Sequence, residues 1–523
     1  MAIVDHKNPN GTIYVYEQHS VWDKEKKRSR NRQVCIGKRD PNSGEIIYNR
    51  RFSDDNALRA TQEGTGFVES LIIGPTLILD EAAKRSKVTN LLEEVFKDSL
   101  VEKIISIAYA ITADSGRMYH VASWMEGHEC PCHKSPLGSS DISRALALIT
   151  PSTVETFLRA WATKKADTKG YYCFDVTSIS SYAKSLSGVE WGYNRDKERL
   201  AQINIAMLVG IASRLPVYYE QLAGSLPDVR AIHKLEARLK KLGLERIVLL
   251  LDRGFLSEEN MIEMVKAETK FMMPLKSELR YSQELIDKHR ATIADMDNIV
   301  EVNDAYTAAI YATTTVGKFA GKRIWYHIYF DTLAKETSLL RLFEKIAICE
   351  SELKSGNLEQ GHIEFYEKYF IVKESTKRGR TVKRNQAEIE RYKASYTGYW
   401  VIATNAEKDA GKALRAYRKR SSVECQFKDF KDELDFDRVR MHSDETVSGR
   451  LFVQFIALIL LEQIREVMEA SDLPKSLSVS EMFRRLGTYH RLDFSGKYRP
   501  IISTPTKIQR KVFDAFDIPY SER

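Results

Sequence analysis

The chain has 523 residues, more than one hydrophobic core usually supports, so we expect about three or four domains. Hydrophobic residues make up 43% and charged residues 29%, a balance typical of soluble proteins, and the net charge of +8 does not by itself identify a partner. Six unevenly spaced cysteines exclude a disulfide framework and favour a reducing compartment.

Residues 1–60 contain short alternating segments around turn signals such as Asn8-Pro9-Asn10-Gly11, which predict a small β-rich module. Basic residues concentrate between Lys24 and Arg39, where they can neutralise phosphates, although a solvated hairpin is an equally good explanation. In residues 61–167 the apolar residues recur with a helical period, which predicts a bundle of short helices. We interpret the bundle as a DNA-binding domain, with a purely structural bundle as the alternative.

Two cysteines and two histidines lie close together in the sequence at residues 128–133. Cys130 and Cys132 are separated by a single residue, which is too close for the usual pair of thiolate ligands of zinc. Because no second cysteine pair completes such a site, we favour a loop with free thiols.

Residues 168–276 alternate strands with helices, the order that produces an α/β sheet. Two of these strands are predicted to end in an acid: the run 171–174 leads to Asp175, and the run 247–251 leads to Asp252. An acid in that position projects beyond the sheet while the buried strand anchors its backbone. The sequence therefore predicts two carboxylates presented by one sheet.

About 120 residues, 277–395, then interrupt this order with paired strands and a long helix. A strand at 399–404 resumes the core, and residues 396–465 complete it. Within them, the apolar run 451–461 is too short to span a bilayer and predicts a buried helix. Residues 466–523 form a short mixed C-terminal segment, and the N-terminus lacks the features of a signal peptide.

Four polar residues, Tyr417, Arg420, Glu424 and Lys431, have a helical spacing. On one continuous helix they would project from a single stripe about 60° wide. A carboxylate between cations and a phenol suits a metal ion and a phosphodiester better than a hydrophobic core.

The pattern Tyr-x2-Arg-x3-Glu-x6-Lys, preceded by Asp175 and Asp252, resembles the DDE transposases of the IS4 type, and the layout of the chain is most like the IS1634 group of insertion sequences. The resemblance covers roughly residues 168–465. It implies an α/β fold with a ribonuclease-H-like catalytic core and a β-containing insertion, preceded by the β module and the helical domain.

The three acids, Asp175, Asp252 and Glu424, are the predicted catalytic residues and metal ligands. Carboxylates from separate elements, without histidine or thiolate, match the preference of Mg²⁺ for oxygen, and Mn²⁺ is an expected substitute. We expect Asp175 to be shared by two ions, as in two-metal phosphodiester chemistry, with Asp252 and Glu424 each completing one site.

Five further residues are predicted to contact DNA. Arg420 can bind a phosphate with its planar guanidinium, Lys431 adds a point charge, and Tyr417 a hydroxyl donor. Arg253 follows Asp252 directly, next to a glycine that permits close approach. Trp191 lies in a predicted hairpin and could stack on an extruded base, although a buried strand tryptophan is the commoner case.

The resemblance thus implies a transposase that binds double-stranded DNA as a homodimer, and we expect it to be cytoplasmic and to have no membrane partner. It would hydrolyse the ends at terminal inverted repeats and transfer the 3′-hydroxyl strands to target DNA. The alternatives are a nuclease of the same fold without strand transfer, and a non-catalytic DNA-binding repressor derived from a transposase.

Overall fold

A computed structural model describes residues 2–9, 11–23, 28–41, 43–49, 67–114, 118–183, 186–194, 198–226, 228–303, 308–375, 379–434, 438–441, 443–494 and 499–520. The chain divides into two compact units. The terminal unit comprises Met1–Thr76, Gly127–Glu129 and Met482–Arg523, and the central unit comprises Leu77–Glu126 and Cys130–Glu481.

The strands are β1 (Ala2–Lys7), β2 (Ile13–Asp23), β3 (Arg28–Arg39), β4 (Ile46–Tyr48), β5 (Phe67–Ile72), β6 (Tyr171–Ser181), β7 (Gln202–Gly210), β8 (Pro216–Ala223), β9 (Val248–Leu250), β10 (Lys270–Pro274), β11 (Ile299–Asn303), β12 (Ala308–Phe319), β13 (Lys322–Asp331), β14 (Phe370–Ser375), β15 (Gly379–Arg384), β16 (Tyr399–Thr404), β17 (Arg438–Val439), β18 (His490–Phe494) and β19 (Ile501–Ile502).

The helices are α1 (Gly74–Ser86), α2 (Val88–Val95), α3 (Asp98–Asp114), α4 (Val121–Gly127), α5 (Ser139–Ala147), α6 (Pro151–Lys165), α7 (Asp228–Leu242), α8 (Glu258–Lys266), α9 (Arg280–His289), α10 (Thr332–Ser355), α11 (Ile363–Tyr369), α12 (Gln386–Lys393), α13 (Ala410–Arg418), α14 (Ser421–Lys428), α15 (Asp444–Ala470), α16 (Val479–Leu486) and α17 (Lys507–Ala515).

The terminal unit contains two sheets. Strands β1 to β4 form an antiparallel meander in chain order. Strand β5 belongs to a second sheet, in which it pairs with β18 near the other end of the sequence. The prediction placed residues 466–523 in a segment of their own and did not anticipate this pairing.

Helices α1 to α6 occupy the range in which the sequence has a helical period. Helix α6 begins at Pro151, because the hydroxyl of Thr150 accepts a hydrogen bond from the backbone nitrogen of Thr153 (3.3 Å) and Pro151 fills the first helical position. The buried indole of Trp161 donates to the carbonyl oxygen of Pro216 (2.8 Å) and joins α6 to β8.

A large mixed sheet organises the central unit and confirms the α/β class. Its strands run in the order β11-β12-β13-β16-β10-β9-β6-β7-β8, and β17 adds to β6. Strands β6, β9 and β10 are parallel neighbours, whereas β7 and β8 continue from β6 as an antiparallel meander. Buried apolar side chains fill β6, β7 and β9, as expected for strands covered on both faces.

One part of the insertion extends this sheet, whereas β14 and β15 form a separate two-stranded antiparallel sheet. Residues 325–330 of β13 pair with the whole of β16, and β12 and β11 follow outward. The rest of the insertion, from α10 to α12, has a small hydrophobic core of its own that includes Leu342, Ile346 and Tyr369. Part of the predicted insertion is thus continuous with the core through backbone hydrogen bonds.

Helix α15 is the central core helix, as the apolar run predicted. It is the one helix in the described part of the chain that is long and apolar enough to cross a membrane, but 94% of its most apolar stretch is buried within the protein. Gly449 lets α15 approach α5 closely, because a methyl group there would overlap the carbonyl oxygen of Leu146.

Candidate active site

Asp175 and Asp252 occupy equivalent positions on neighbouring parallel strands. The pairing of β6 with β9 runs from Tyr171–Val248 to Cys173–Leu250. Each aspartate lies two residues beyond that last pair, so the two carboxylates leave the sheet at the same point along the strands. The register of two strands far apart in sequence therefore brings both acids together.

Asp175 does not end its strand, which corrects the prediction. Strand β6 continues for six residues to Ser181, because its antiparallel pairing with β7 extends to the pair Ser180–Gln202. Thr177 and Ser178, which follow Asp175, are buried within the strand. The side chain of Asp175 is itself only 7% exposed, and its Oδ1 accepts a hydrogen bond from the backbone nitrogen of Val176 (2.8 Å).

The segment that carries Glu424 is not one continuous helix, and the single-stripe prediction is wrong in this respect. Helix α13 ends at Arg418 and α14 begins at Ser421, after a turn in which the backbone nitrogen of Arg420 donates to the carbonyl oxygen of Tyr417 (3.0 Å). Helix α14 then passes into a π-helical turn, Asp429–Glu433. Such turns are rare and recur at functional sites.

Arg420 connects two of the three acids. Its Nη2 lies 2.7 Å from Oε1 of Glu424 and 3.8 Å from Oδ1 of Asp252. The arginine side chain is 15% exposed, whereas Asp252 and Glu424 are 44% and 56% exposed. The two carboxylates are thus open to solvent on one side and share a guanidinium on the other.

The buried thiol of Cys173, two residues before Asp175, lies within the electrostatic field of all these groups. Burial raises its pKa most, Asp175 raises it further, and Arg420 lowers it. Glu424 and Asp252 also contribute to raising the pKa. All three acids and the arginine therefore lie within electrostatic range of one thiol, despite their separation in sequence.

Tyr417 belongs to the same group. Burial raises the pKa of its phenol to about 12, Arg420 and Arg253 lower it, and Asp252 raises it. The guanidinium carbon of Arg420 lies 5.7 Å from the centre of the Tyr417 ring, which is cation–π distance. Tyr417 and Arg253 are therefore neighbours of the acids, and Arg253 is exposed at the start of the turn Arg253–Phe255.

The structure places Trp191 and Lys431 on other elements. Trp191 lies in the connection from β6 to β7, next to the bridge between Glu190 and Gln202, and is 70% exposed. The alternative of a buried strand tryptophan is therefore wrong. Lys431 lies in the π-helical turn rather than on a regular helix, and its contribution to the site stays a prediction.

Sequence reasoning missed a buried ionic network behind the π-helical turn. Arg465 of α15 contacts Asp429 through both guanidinium nitrogens, with Nη2 2.8 Å from Oδ1, and its Nη1 lies 2.9 Å from Oε1 of Glu462. Arg214, from the β7–β8 turn, lies 3.7 Å from the same Glu462. The available signal was a Glu-x2-Arg pair directly after the apolar run 451–461, on a helix that the run predicts to be buried.

Two groups that contain cysteine offer potential metal ligands. Cys130 and Cys132 are buried, and burial raises the pKa of Cys130 to about 11, which agrees with free thiols. Elsewhere, Cys349, Glu352 and His362 bring potential ligand atoms within 4.8 Å of one another. Because Glu352 already accepts hydrogen bonds from Tyr366 (2.5 Å) and His362 (3.0 Å), we assign that group as a hydrogen-bond network.

Comparison with known proteins identifies the family. The model of the transposase DDE domain matches residues 168–460, which is more than half of the chain and includes Asp175, Asp252 and Glu424. The chain therefore belongs to the DDE transposases.

Among solved structures, the chain is similar to the piggyBac transposase in a cryo-EM structure of its synaptic complex with hairpin DNA. The sequence identity is 8% and the TM-score 0.34, over 78% of this chain and 70% of that one. No curated protein matches the chain.

Proposed function

We propose that this chain is an insertion-sequence transposase of the IS4 type, most like the IS1634 group, with a ribonuclease-H-like core. It would bind the terminal inverted repeats of its element, hydrolyse the ends and transfer the freed 3′-hydroxyl strands to target DNA. The observation that carries the proposal is the grouping of Asp175, Asp252, Glu424 and Arg420 around the buried Cys173. The strand order β8-β7-β6-β9-β10, antiparallel and then parallel, supports the core assignment.

Asp175, Asp252 and Glu424 would hold divalent metal, Mg²⁺ with Mn²⁺ as a substitute. The three groups offer only carboxylate oxygens, which is the donor set that Mg²⁺ prefers. Bound metal would supply activation of the attacking oxygen and neutralisation of the leaving oxygen. The exposure of Asp252 and Glu424 leaves room for a DNA backbone beside them.

The remaining groups would position the DNA. Arg420 is held by Glu424 beside the two partly exposed carboxylates, where its planar guanidinium can bind a phosphate next to the acids. Tyr417, whose high pKa keeps the phenol protonated at neutral pH, would donate a hydrogen bond to the same backbone. Arg253 and Lys431 would add charge, and the exposed ring of Trp191 would stack on an unpaired base.

The partners we propose are double-stranded DNA, as inverted repeats and as target, and a second copy of the chain, because transposition joins two ends. The compartment we propose is the cytoplasm.

The test of this function is Asp252→Asn, which changes one charge on a partly exposed side chain. We expect the variant to bind inverted-repeat DNA like the wild type and to lose cleavage. Glu278→Gln, an exposed acid that follows the neighbouring strand β10, is the matched control and should keep full activity. Cleavage by Asp252→Asn at the wild-type rate would contradict the assigned site.

A second assay separates the alternatives. Pre-cut ends with free 3′-hydroxyls are incubated with a target plasmid and the wild-type protein. Joined products support a transposase, whereas cleavage of uncut DNA without joining indicates a nuclease. Binding of the repeats without either reaction, in Mg²⁺ or Mn²⁺, indicates a repressor.

A further inference from the structure

The turn that joins β7 to β8 contains a residue with an unfavourable backbone conformation. Arg214 has a φ of +55°, in the left-handed region that glycine adopts without strain and that costs other residues conformational free energy. Its backbone nitrogen donates to the carbonyl oxygen of Gly210 (2.8 Å), which closes the turn in this conformation. A residue other than glycine held in that region points to a function for its side chain or its backbone groups.

The carbonyl oxygen of Arg214 binds the helix that carries Glu424. It accepts a hydrogen bond from Nε2 of Gln426, a side chain that is 1% exposed. Gln426 and Glu424 both belong to α14. Positions two residues apart on a regular helix differ by about 200° in direction, so the amide and the acid project from nearly opposite sides. Gln426 therefore attaches the buried side of the helix to the turn, while Glu424 stays exposed on the other side.

The side chain of Arg214 attaches the same turn to α15. Its Nη1 lies 2.8 and 2.9 Å from the two carboxylate oxygens of Glu469, and its Nε lies 3.7 Å from Oε2 of the buried Glu462. Glu462 also accepts from Arg465, the arginine that holds Asp429 directly after α14. The turn is thus fixed to the buried helix, and these ion pairs offset part of the cost of its left-handed residue.

The turn is also tied to the strand of Asp175. Gly210, where the turn begins, pairs with Tyr172 of β6, three residues before Asp175. A short series of hydrogen bonds therefore runs from the strand that presents Asp175, through the turn, to the helix that presents Glu424. Because the two acids lie on elements far apart in sequence, this series controls the distance between their carboxylates.

We infer that Arg214 and Gln426 are positioning residues for the metal site. The hydrogen bond between them holds Glu424 where it can share an ion with Asp175, and neither of them touches metal or DNA. The inference rests on the proposed function, because it requires that the acids hold divalent metal. Contacts that orient a metal ligand in this way change metal affinity or activity about 10–100-fold when they are lost.

The test measures the binding of Mn²⁺ to the full chain by isothermal titration calorimetry. Gln426→Met keeps the length of the side chain but cannot donate to the carbonyl oxygen of Arg214. We expect it to weaken Mn²⁺ binding about tenfold, at the lower end of the range for an orienting contact. Gln426→Asn keeps the amide but is one methylene shorter. It should act in the same direction, and it keeps the test available if the methionine variant does not fold.

A double-mutant cycle separates positioning from a general loss of stability. Glu424→Gln should itself weaken Mn²⁺ binding, because it removes a carboxylate ligand. In the Glu424→Gln background, Gln426→Met should cause no further loss of affinity, since Gln426 acts only through the acid.

The matched control is another buried glutamine that donates to a backbone carbonyl. Gln509, in the terminal unit, is 2% exposed, and its Nε2 donates to the carbonyl oxygen of Arg485 (2.7 Å). Gln509→Met should therefore leave the affinity for Mn²⁺ unchanged, even if it lowers the melting temperature.

The outcomes separate this inference from the proposed function. Wild-type affinity in both Gln426 variants, together with weaker binding in Glu424→Gln, would overturn the positioning and leave the metal site intact. An equal loss from Gln426→Met with and without Glu424→Gln would also overturn it. If Glu424→Gln binds Mn²⁺ like the wild type, the metal site fails and this inference fails with it. A tenfold loss that depends on Glu424, in a protein whose wild type never cleaves DNA, would support the positioning and overturn the transposase.

Discussion

Arg465 and Asp429 form a two-point ion pair inside the central unit, with Nη2 of the arginine 2.8 Å from Oδ1 of the aspartate. Asp429 opens the π-helical turn that follows the helix of Glu424, and Arg465 belongs to the buried helix α15. The pair therefore fixes the C-terminal end of the helix that presents the third acid.

The first prediction concerns the loss of this pair. Arg465→Ala would leave the carboxylate of Asp429 buried without its cation and Glu462 with Arg214 alone, which costs about 3–5 kcal/mol. We expect a loss of that size in the free energy of unfolding, measured by urea denaturation. Asp429→Asn in the same background should recover part of it, because one unpaired charge is removed.

The control for that prediction is Glu469→Gln, which removes an exposed partner of Arg214 and should change stability by less than about 1 kcal/mol. A similar small effect of Arg465→Ala would show that the buried network does not stabilise the turn.

The second prediction concerns Arg420. Arg420→Ala removes the guanidinium between Glu424 and Asp252. We expect the single-turnover cleavage rate to fall about 100-fold, the size seen when one donor to developing charge is removed. Arg420→Lys should be intermediate, because it keeps the charge but loses the planar geometry.

The matched variant is Arg418→Ala, two residues earlier, where the arginine pairs with Glu301 on the insertion. It should cleave at close to the wild-type rate. Equal cleavage rates for all three variants would show that Arg420 is not part of the active site.

Sequence reasoning located the acids better than it located the elements that carry them. Asp252 was placed correctly at a strand end, because the apolar run before it stops where β9 stops. Asp175 was placed at a strand end wrongly. The polar residues after it continue the strand because their backbone groups pair with β7, and local sequence does not reveal a pairing partner. The same reason explains the pairing of β5 with β18, which links residues 420 positions apart.

The break between α13 and α14 could also not be predicted from the local sequence. The residues from Tyr417 to Ser421 include neither glycine nor proline, so their propensities allow a continuous helix. The contacts of Arg420 with two acids, and of Asp429 with Arg465, depend on tertiary packing. The spacing nevertheless predicted that Tyr417, Arg420 and Glu424 lie close together. They do, because the single turn changes the direction of the helix but keeps Arg420 in contact with both of the others.

The third prediction concerns Trp191. Its exposed ring can stack on a base only if that base leaves the duplex, so the effect should depend on the DNA end. We expect Trp191→Ala to weaken binding to a duplex with a mismatched terminal pair by about 1–3 kcal/mol, and to a fully paired duplex by less. Fluorescence of 2-aminopurine at the terminal position measures the stacking directly.

Trp191→Phe should keep most of this affinity, because a smaller aromatic ring still stacks. Tyr281→Ala, which removes an exposed ring on α9, serves as the unrelated aromatic control. Equal losses on both duplexes would argue against base stacking.

The fourth prediction concerns the pH dependence of stability. His327 is fully buried in β13, where Nε2 donates to the carbonyl oxygen of Glu407 (3.0 Å) and Nδ1 accepts from Thr314 (2.8 Å). Burial lowers its pKa below the ordinary value of 6.5, so the folded protein keeps it neutral. Below pH 6.5 the unfolded chain binds a proton that the folded chain does not, and stability falls with decreasing pH.

This histidine contributes at most about 1.4 kcal/mol per pH unit. We expect His327→Gln, which can donate and accept at similar positions, to reduce the loss of melting temperature between pH 7 and pH 5. His120→Gln, at an exposed position, should leave that loss unchanged. An unaltered pH profile in His327→Gln would assign the acid sensitivity to other groups.

The pairing of β5 with β18 has a consequence for synthesis on the ribosome. The hydrogen-bonded side chains of Ser70 and His490 are 420 residues apart, and translation adds about 5–20 residues per second. Strand β5 therefore waits about 20–80 s for its partner, while the chain between them can already fold. The central sheet can thus be complete in the nascent chain before the second sheet of the terminal unit forms.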